Sequence, residues 1–230
     1  MKLEKYIMKK TLITIAATIM IATSSNAQVL ISQYVETESG SVPKGLEIWN
    51  ASGADIDLST SNIQIYQGTN GAALAAVPST LLNTGTFLRN SVIVIGTADI
   101  GTYLTNNGLA SVRFVTFSLT FNGDDSLGLY LNGSLLDTFG TDGTDPGTSW
   151  ALNGVSTANQ NIELRSGITS VSSGWTDPSV RFQTVSSTPS LSGGLSGFGL
   201  APVPEPSSSA LLILGGAALV AVRSLHKKNS

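Results

Sequence analysis

Between Gln28 and Val185 no stretch sustains a 3.6-residue apolar period. Short runs rich in Val, Ile, Leu, Phe and Tyr recur instead, parted by clusters of Gly, Asn, Asp, Ser and Thr, which is the pattern of an all-β chain. The predicted strands cover 29–35, 45–49, 63–66, 91–95, 114–121, 126–131, 135–139, 162–165 and 180–185. Along 126–131, Leu127, Leu129 and Leu131 share one face, and Ser126, Gly128 and Tyr130 share the other. Asn132-Gly133 follows, and both residues tolerate positive φ, so a two-residue hairpin is expected there. Asn122-Gly123-Asp124-Asp125 makes a second tight connection. Many short strands at this spacing argue for a β-sandwich.

Both ends of the chain differ from this body. MKLEKYIMKK, then the apolar TLITIAATIMIA, then TSSNAQ with small residues at Ser25 and Ala27, form a secretory signal over residues 1–27. The body follows over 28–186, then a Ser/Gly/Pro linker over 187–202 that reads as flexible. The last part, 203–230, runs Val203-Pro204-Glu205-Pro206, a hydrophobic helix over about 207–222, and a basic tail with Arg223, Lys227 and Lys228. That helix is roughly 24 Å long against a hydrocarbon core of about 30 Å. The flanking cations can snorkel and favour a cytoplasmic C-terminus. Gly215, Gly216 and the alanines leave no amphipathic stripe, which argues against a buried core helix.

Charge and composition exclude several functions. From Gln28 to Pro206 five basic residues face fourteen carboxylates, a net charge of −9, which repels phosphate backbones and argues against nucleic acid as a partner. With no Cys there is no disulfide, thiolate nucleophile or Cys metal site. His226, the one histidine, lies in the basic tail, so the body has no His base, triad or His metal ligand.

Four aspartates are the candidate Ca²⁺ ligands. Asp142 and Asp145 in the loop 140–147, with Asp124 or Asp125, offer hard oxygen donors, although the spacing is not that of an EF-hand. The competing reading makes these residues turn formers that bond their own backbone. Tyr130 and Trp175 are the candidates for stacking on a ligand, Trp175 because it sits among Ser and Gly, whereas Trp150 reads as core. Lys44 and Glu47 read as a solvated strand edge.

Two stretches resemble known families. The Val-Pro-Glu-Pro run, the short Ala/Leu/Gly helix and the terminal basic cluster resemble the PEP-CTERM sorting signal of Gram-negative bacteria. The resemblance implies export to the cell envelope, surface or extracellular matrix. It also implies recognition by an exosortase-type membrane enzyme, anchorage by the C-terminal helix before processing, and an exopolysaccharide setting. Within the body, ISQYVETESGSVPKGLEIWNASGADIDLSTSNIQIY, FNGDDSLGLYLNGSLLDTFGTDGTDPGTSW and STANQNIELR resemble, in order, the lamin-tail domain in its bacterial exported form. Trp49 and Ala51 depart from the usual Tyr and Pro, and the match loosens after Arg165. That resemblance implies an immunoglobulin-like sandwich. The expectation is an all-β, non-catalytic surface or matrix protein, structural or adhesive, with no cofactor. The alternatives are a Ca²⁺-dependent carbohydrate-binding module and a hydrolase that works with carboxylates alone.

Overall fold

A computed structural model describes residues 28–37, 43–117, 120–190 and 193–202; the expected signal peptide (1–27) and sorting segment (203–230) lie outside them. Fourteen strands form within the described residues: β1 (Val29–Val35), β2 (Gly45–Asn50), β3 (Ile56–Asp57), β4 (Ile63–Gly68), β5 (Ala75–Ala76), β6 (Thr86–Phe87), β7 (Val92–Gly96), β8 (Arg113–Thr116), β9 (Ser126–Leu131), β10 (Ser134–Phe139), β11 (Ala151–Leu152), β12 (Val155–Ser156), β13 (Asn161–Leu164) and β14 (Phe182–Ser186). A short helix, α1 (Ala98–Asn106), lies between β7 and β8.

The strands assemble into a six-stranded sheet, β14-β13-β1-β2-β7-β8, and a four-stranded sheet, β10-β9-β4-β5, with two small two-stranded pairs, the hairpin β11-β12 and the longer-range β3-β6. Every pairing is antiparallel except β7 with β8. Parallel neighbours need a crossover, and α1 provides it, packing Ile100 and Leu104 against the sheet.

Alternation sets which side chains meet. Ile31, Tyr34, Leu46 and Ile48 from the large sheet share one core with Ile63, Ile65, Leu127 and Leu129 from the small one. Tyr34 stacks between Phe121 and Phe139 in this core, at centroid distances of 4.9 and 4.4 Å. The expected hairpin joins β9 to β10, with Asn132 at φ 50° and Gly133 at φ 74°.

Every residue of β1 and β2 is buried, so both faces of the large sheet are covered at its centre. One cover is the small sheet. On the other face a second apolar cluster joins Val35 and Val94 to Ile100 and Leu104 of α1 and to Leu195 and Phe198. The last two belong to the stretch read as a flexible linker. Residues 193–202 instead dock on the sheet as a C-terminal strap, because Leu195 and Phe198, three residues apart, insert beside α1.

Candidate functional site beneath the C-terminal strap

A polar row crosses the outer face of the large sheet under the strap. Glu47 of β2 lies opposite Gln33 of β1, Gln33 opposite Glu163 of β13, and Glu163 opposite Gln183 of β14. A bulge in β1 between Ile31 and Gln33 sets two residues against Glu47, so Ser32 reaches it as well. Ser32 Oγ donates to Glu47 Oε1 at 2.7 Å, and the Gly199 N–H of the strap donates to Glu47 Oε2 at 2.7 Å. Gln33 Nε2 donates to Asn161 Oδ1 and to the Ser196 carbonyl, both at 2.8 Å. Asn161 Nδ2 donates to the Gly194 carbonyl at 2.8 Å. At the margin Gln183 Nε2 donates to Glu163 Oε1 at 2.8 Å.

Between this row and the strap is a cavity of about 290 Å³, bounded by Ser32, Glu47, Glu163, Leu164, Leu200 and Pro202 among others. Glu47 is 1% exposed. Burial pushes its carboxyl up to about 8, against the lowering effect of the Ser32 and Gly199 bonds, and the Glu163 charge adds to the rise. It is therefore protonated at neutral pH. Glu47 and Glu163 stand one strand apart, roughly 10 Å between backbones. The spacing resembles an acid–base pair, but both Glu47 oxygens are occupied by bonds that hold backbone and neighbouring strand in place.

That use of a carboxylate recurs. Asp137, turned inward at the β10 bulge, accepts the Ile31 N–H at 2.9 Å and the Ser172 N–H at 2.7 Å, with Arg181 Nη2 at 3.6 Å. Burial raises its carboxyl, opposed by the Ile31 bond and the Arg181 charge. Glu36 accepts the Asn159 N–H at 2.8 Å and pairs with Lys44 at 3.3 Å. Lys44 Nζ also donates to the Phe121 carbonyl at 2.8 Å. Asp125 accepts the Asn70 N–H at 2.9 Å, the Asn122 N–H at 3.1 Å and Gln67 Nε2 at 2.9 Å. In a body without cysteine, these four buried carboxylates join segments far apart in sequence.

Lys44 and Glu47 are thus not a solvated edge: they are 5% and 1% exposed, Glu47 because the strap covers it and Lys44 because its ammonium is enclosed by Glu36 and the Phe121 carbonyl. Trp175, expected at the surface, is 7% exposed and packs against Phe139, Trp150 and Phe182 at centroid distances of 5.0, 6.1 and 5.7 Å. Its Ser/Gly surroundings are a loop that folds this ring inward; the Trp175 backbone N–H donates to the Gly140 carbonyl at 2.9 Å, and the indole nitrogen is buried without a hydrogen-bond partner. Trp150 is core, as expected.

Tyr130 faces outward on the small sheet, half-buried, with its ring stacked on Tyr66 at 3.7 Å. Partial burial and then the nearby Asp142 charge raise its hydroxyl pKa. Asp142 accepts the Leu74 N–H at 2.9 Å, and Asp145 closes a turn by accepting the Gly147 N–H at 2.7 Å. Asp124 sits beside Asp125 and Asp145; partial burial and their charges raise its carboxyl pKa, and its Oδ1 and the Asn122 Oδ1 are buried without a hydrogen-bond partner. Among the described residues no group of three or more His, Cys, Asp or Glu is arranged to hold a metal. Val203, Pro204, Glu205, Pro206 and Arg223 lie outside the described residues.

Sequence reasoning missed Glu47, Gln33, Asn161 and the strap. The alternation of Leu46, Glu47 and Ile48 does put Glu47 on the outer face, but no local signal says that a segment 150 residues later covers it. Compared with known proteins, the chain matches no family model, no curated protein and no solved structure.

Proposed function

We propose that the chain is a non-catalytic exported protein of the cell surface or extracellular matrix, structural or adhesive in role. Its body is an immunoglobulin-like sandwich of the lamin-tail type, and residues 203–230 are a sorting signal handled by an exosortase-type enzyme. The fold reading draws support from two largely antiparallel sheets that share one core; α1 and the parallel β8 are additions at one edge. The observation that carries the non-catalytic reading is the use of the buried carboxylates. Glu36, Glu47, Asp125 and Asp137 each accept backbone N–H groups, so the residues best suited to acid–base work in a body without His or Cys are engaged in holding the chain together.

The reading is tested by fractionating cells that express the full chain and a version ending at residue 202. The full chain is expected at the surface or in the matrix, and the shortened one in the periplasm or medium. Cytoplasmic retention of both, or surface retention of both, would remove the sorting reading.

A second reading, the Ca²⁺-dependent carbohydrate-binding module, draws on the small sheet. The Tyr66–Tyr130 stack faces outward with Asp142 nearby, and Asp124 and Asn122 each present a buried oxygen without a partner, an arrangement that suits a cation. A Ca²⁺-dependent rise in melting temperature that is lost in Asp124→Ala, with glycan retention lost in Tyr130→Ala, would favour it. Neither effect would leave the passive surface role.

A further inference from the structure

Five basic residues lie between Gln28 and Pro206. Lys44 and Arg181 are buried in ion pairs with Glu36 and Asp137, and these are the ion pairs among the described residues. Arg165, just after β13, turns its Nε to the Ser179 carbonyl at 3.0 Å. Arg113 opens β8 at the other edge of the large sheet and lines a groove of about 360 Å³, a volume in the range of small-ligand sites. The groove runs between residues 88–91, which lead from β6 into β7, and residues 111–113, with the strap at one end. No Asp or Glu lines it, in contrast to the cavity beside Glu47 and Glu163. Arg113 Nη1 donates to the Thr84 carbonyl at 2.8 Å, which fixes the guanidinium and leaves its other N–H groups without a carboxylate partner. Beside it stand the exposed Asn90 and Ser111, and Ser91, whose hydroxyl donates to the Leu88 carbonyl at 2.7 Å and so keeps its oxygen as an acceptor. Leu88 itself is 55% exposed and gives the groove an apolar flank.

We propose that this groove binds a uronate unit, a sugar ring that bears one carboxylate, with Arg113 holding the carboxylate and Leu88 flanking the C–H face of the ring. A planar guanidinium fixed by one carbonyl matches a carboxylate with two parallel N–H bonds. Asn90, Ser91 and Ser111 supply donors and acceptors for ring hydroxyls, which a purely apolar carboxylate would leave unmet. The charge of the whole body narrows the class further. A net charge of −9 between Gln28 and Pro206 repels a polymer charged at every unit, whereas a single carboxylate in an otherwise neutral chain meets the guanidinium at short range. The ligand is therefore a sparsely carboxylated polysaccharide, and an acidic protein segment is the competing occupant. This site is separate from the Tyr66–Tyr130 face, which lies on the other sheet.

The full chain, purified in a sugar-free non-ionic detergent, is titrated by calorimetry at about 0.15 M salt, where long-range repulsion is screened. The probes are glucuronoxylan, a neutral xylan with scattered glucuronates; the same polymer with its carboxyls reduced to primary alcohols; and polyglutamate. Wild type is expected to bind glucuronoxylan at least about tenfold more tightly than the reduced polymer, the scale of hydrogen bonds to a charged group. Arg113→Gln, with its melting temperature unchanged, should abolish that difference. Arg165→Gln removes the same charge on the far side of the sheet and should bind as wild type does. Leu88→Ala should weaken both xylans severalfold and keep their ratio. Equal binding of the two xylans by wild type, no binding of glucuronoxylan, or an unaffected Arg113→Gln would overturn the proposal. Equal losses in Arg113→Gln and Arg165→Gln would overturn it too, since net charge alone would then set affinity. Polyglutamate bound as tightly as glucuronoxylan would place an acidic protein segment in the groove instead of a sugar. Export plays no part in these titrations, so the site and the sorting reading stand or fall separately.

Discussion

Glu47→Gln should remove the stability loss that the wild type suffers between about pH 4.5 and 8 as this carboxyl gives up its proton. The buried carboxyl sits at about 8 in the fold against 4.5 as its ordinary value. A native pKa above the unfolded one means that the folded state holds the proton more tightly. The resulting stability is fully present below about 4.5 and is lost as pH rises through about 8. At about 1.4 kcal/mol per pH unit, the whole loss is roughly 3 to 5 kcal/mol. For a domain of this size that is a fall in melting temperature on the order of 10 °C. Gln is a close replacement for the protonated form: its carbonyl can accept the Gly199 N–H, and its amide can donate to Ser32 Oγ. Calorimetric melting of wild type and variant at pH 4, 6, 7 and 9 is the assay. The two should melt together at pH 4 and separate progressively above it, with the variant ahead by about 10 °C at pH 9. Parallel profiles from pH 4 to 9 would refute the reasoning, since the native carboxyl would then titrate as it does in the unfolded chain.

Asp137→Ala should cost about 3 to 5 kcal/mol in urea unfolding, because it strands the buried Ile31 and Ser172 N–H groups and leaves Arg181 without its partner; a loss below about 1 kcal/mol would mean that water replaces the carboxylate there. Gly133→Val should cost about 1 to 2 kcal/mol by the same measurement, since Gly133 holds φ 74° at the β9–β10 turn; no loss would mean that the hairpin tolerates another turn.

The parts of the fold that were legible in the sequence are the longer runs of Val, Ile, Leu, Phe and Tyr, whether they alternate with polar residues as in β9 or are apolar throughout as in β7. All nine predicted strands form, from β1 to β14, with ends displaced by a few residues. The longest overshoot was 114–121, where β8 runs from Arg113 to Thr116. The two-residue strands β3, β5, β6, β11 and β12 carry too few residues for alternation to register. Helix α1 escaped because only Ile100 and Leu104 mark its buried face, and Gly101, Thr102 and Thr105 lower its propensity. The strap escaped for a related reason: Ser and Gly dominate its composition, and two anchors do the docking. Asp125 was legible as a turn residue, whereas Glu47, Asp137 and Glu36 were not, since their partners lie 152, 106 and 123 residues away in sequence. Trp175 shows the same limit, because a ring among small polar residues gives no local sign that Phe139, Trp150 and Phe182 await it.

The most direct test of an exported, C-terminally sorted body is the intact mass of the mature protein recovered from its own cells. The expected mass is that of a chain that begins at Gln28 and ends close to Val203–Pro206. A chain that still carries residues 1–27 or the whole of 207–230 would contradict it.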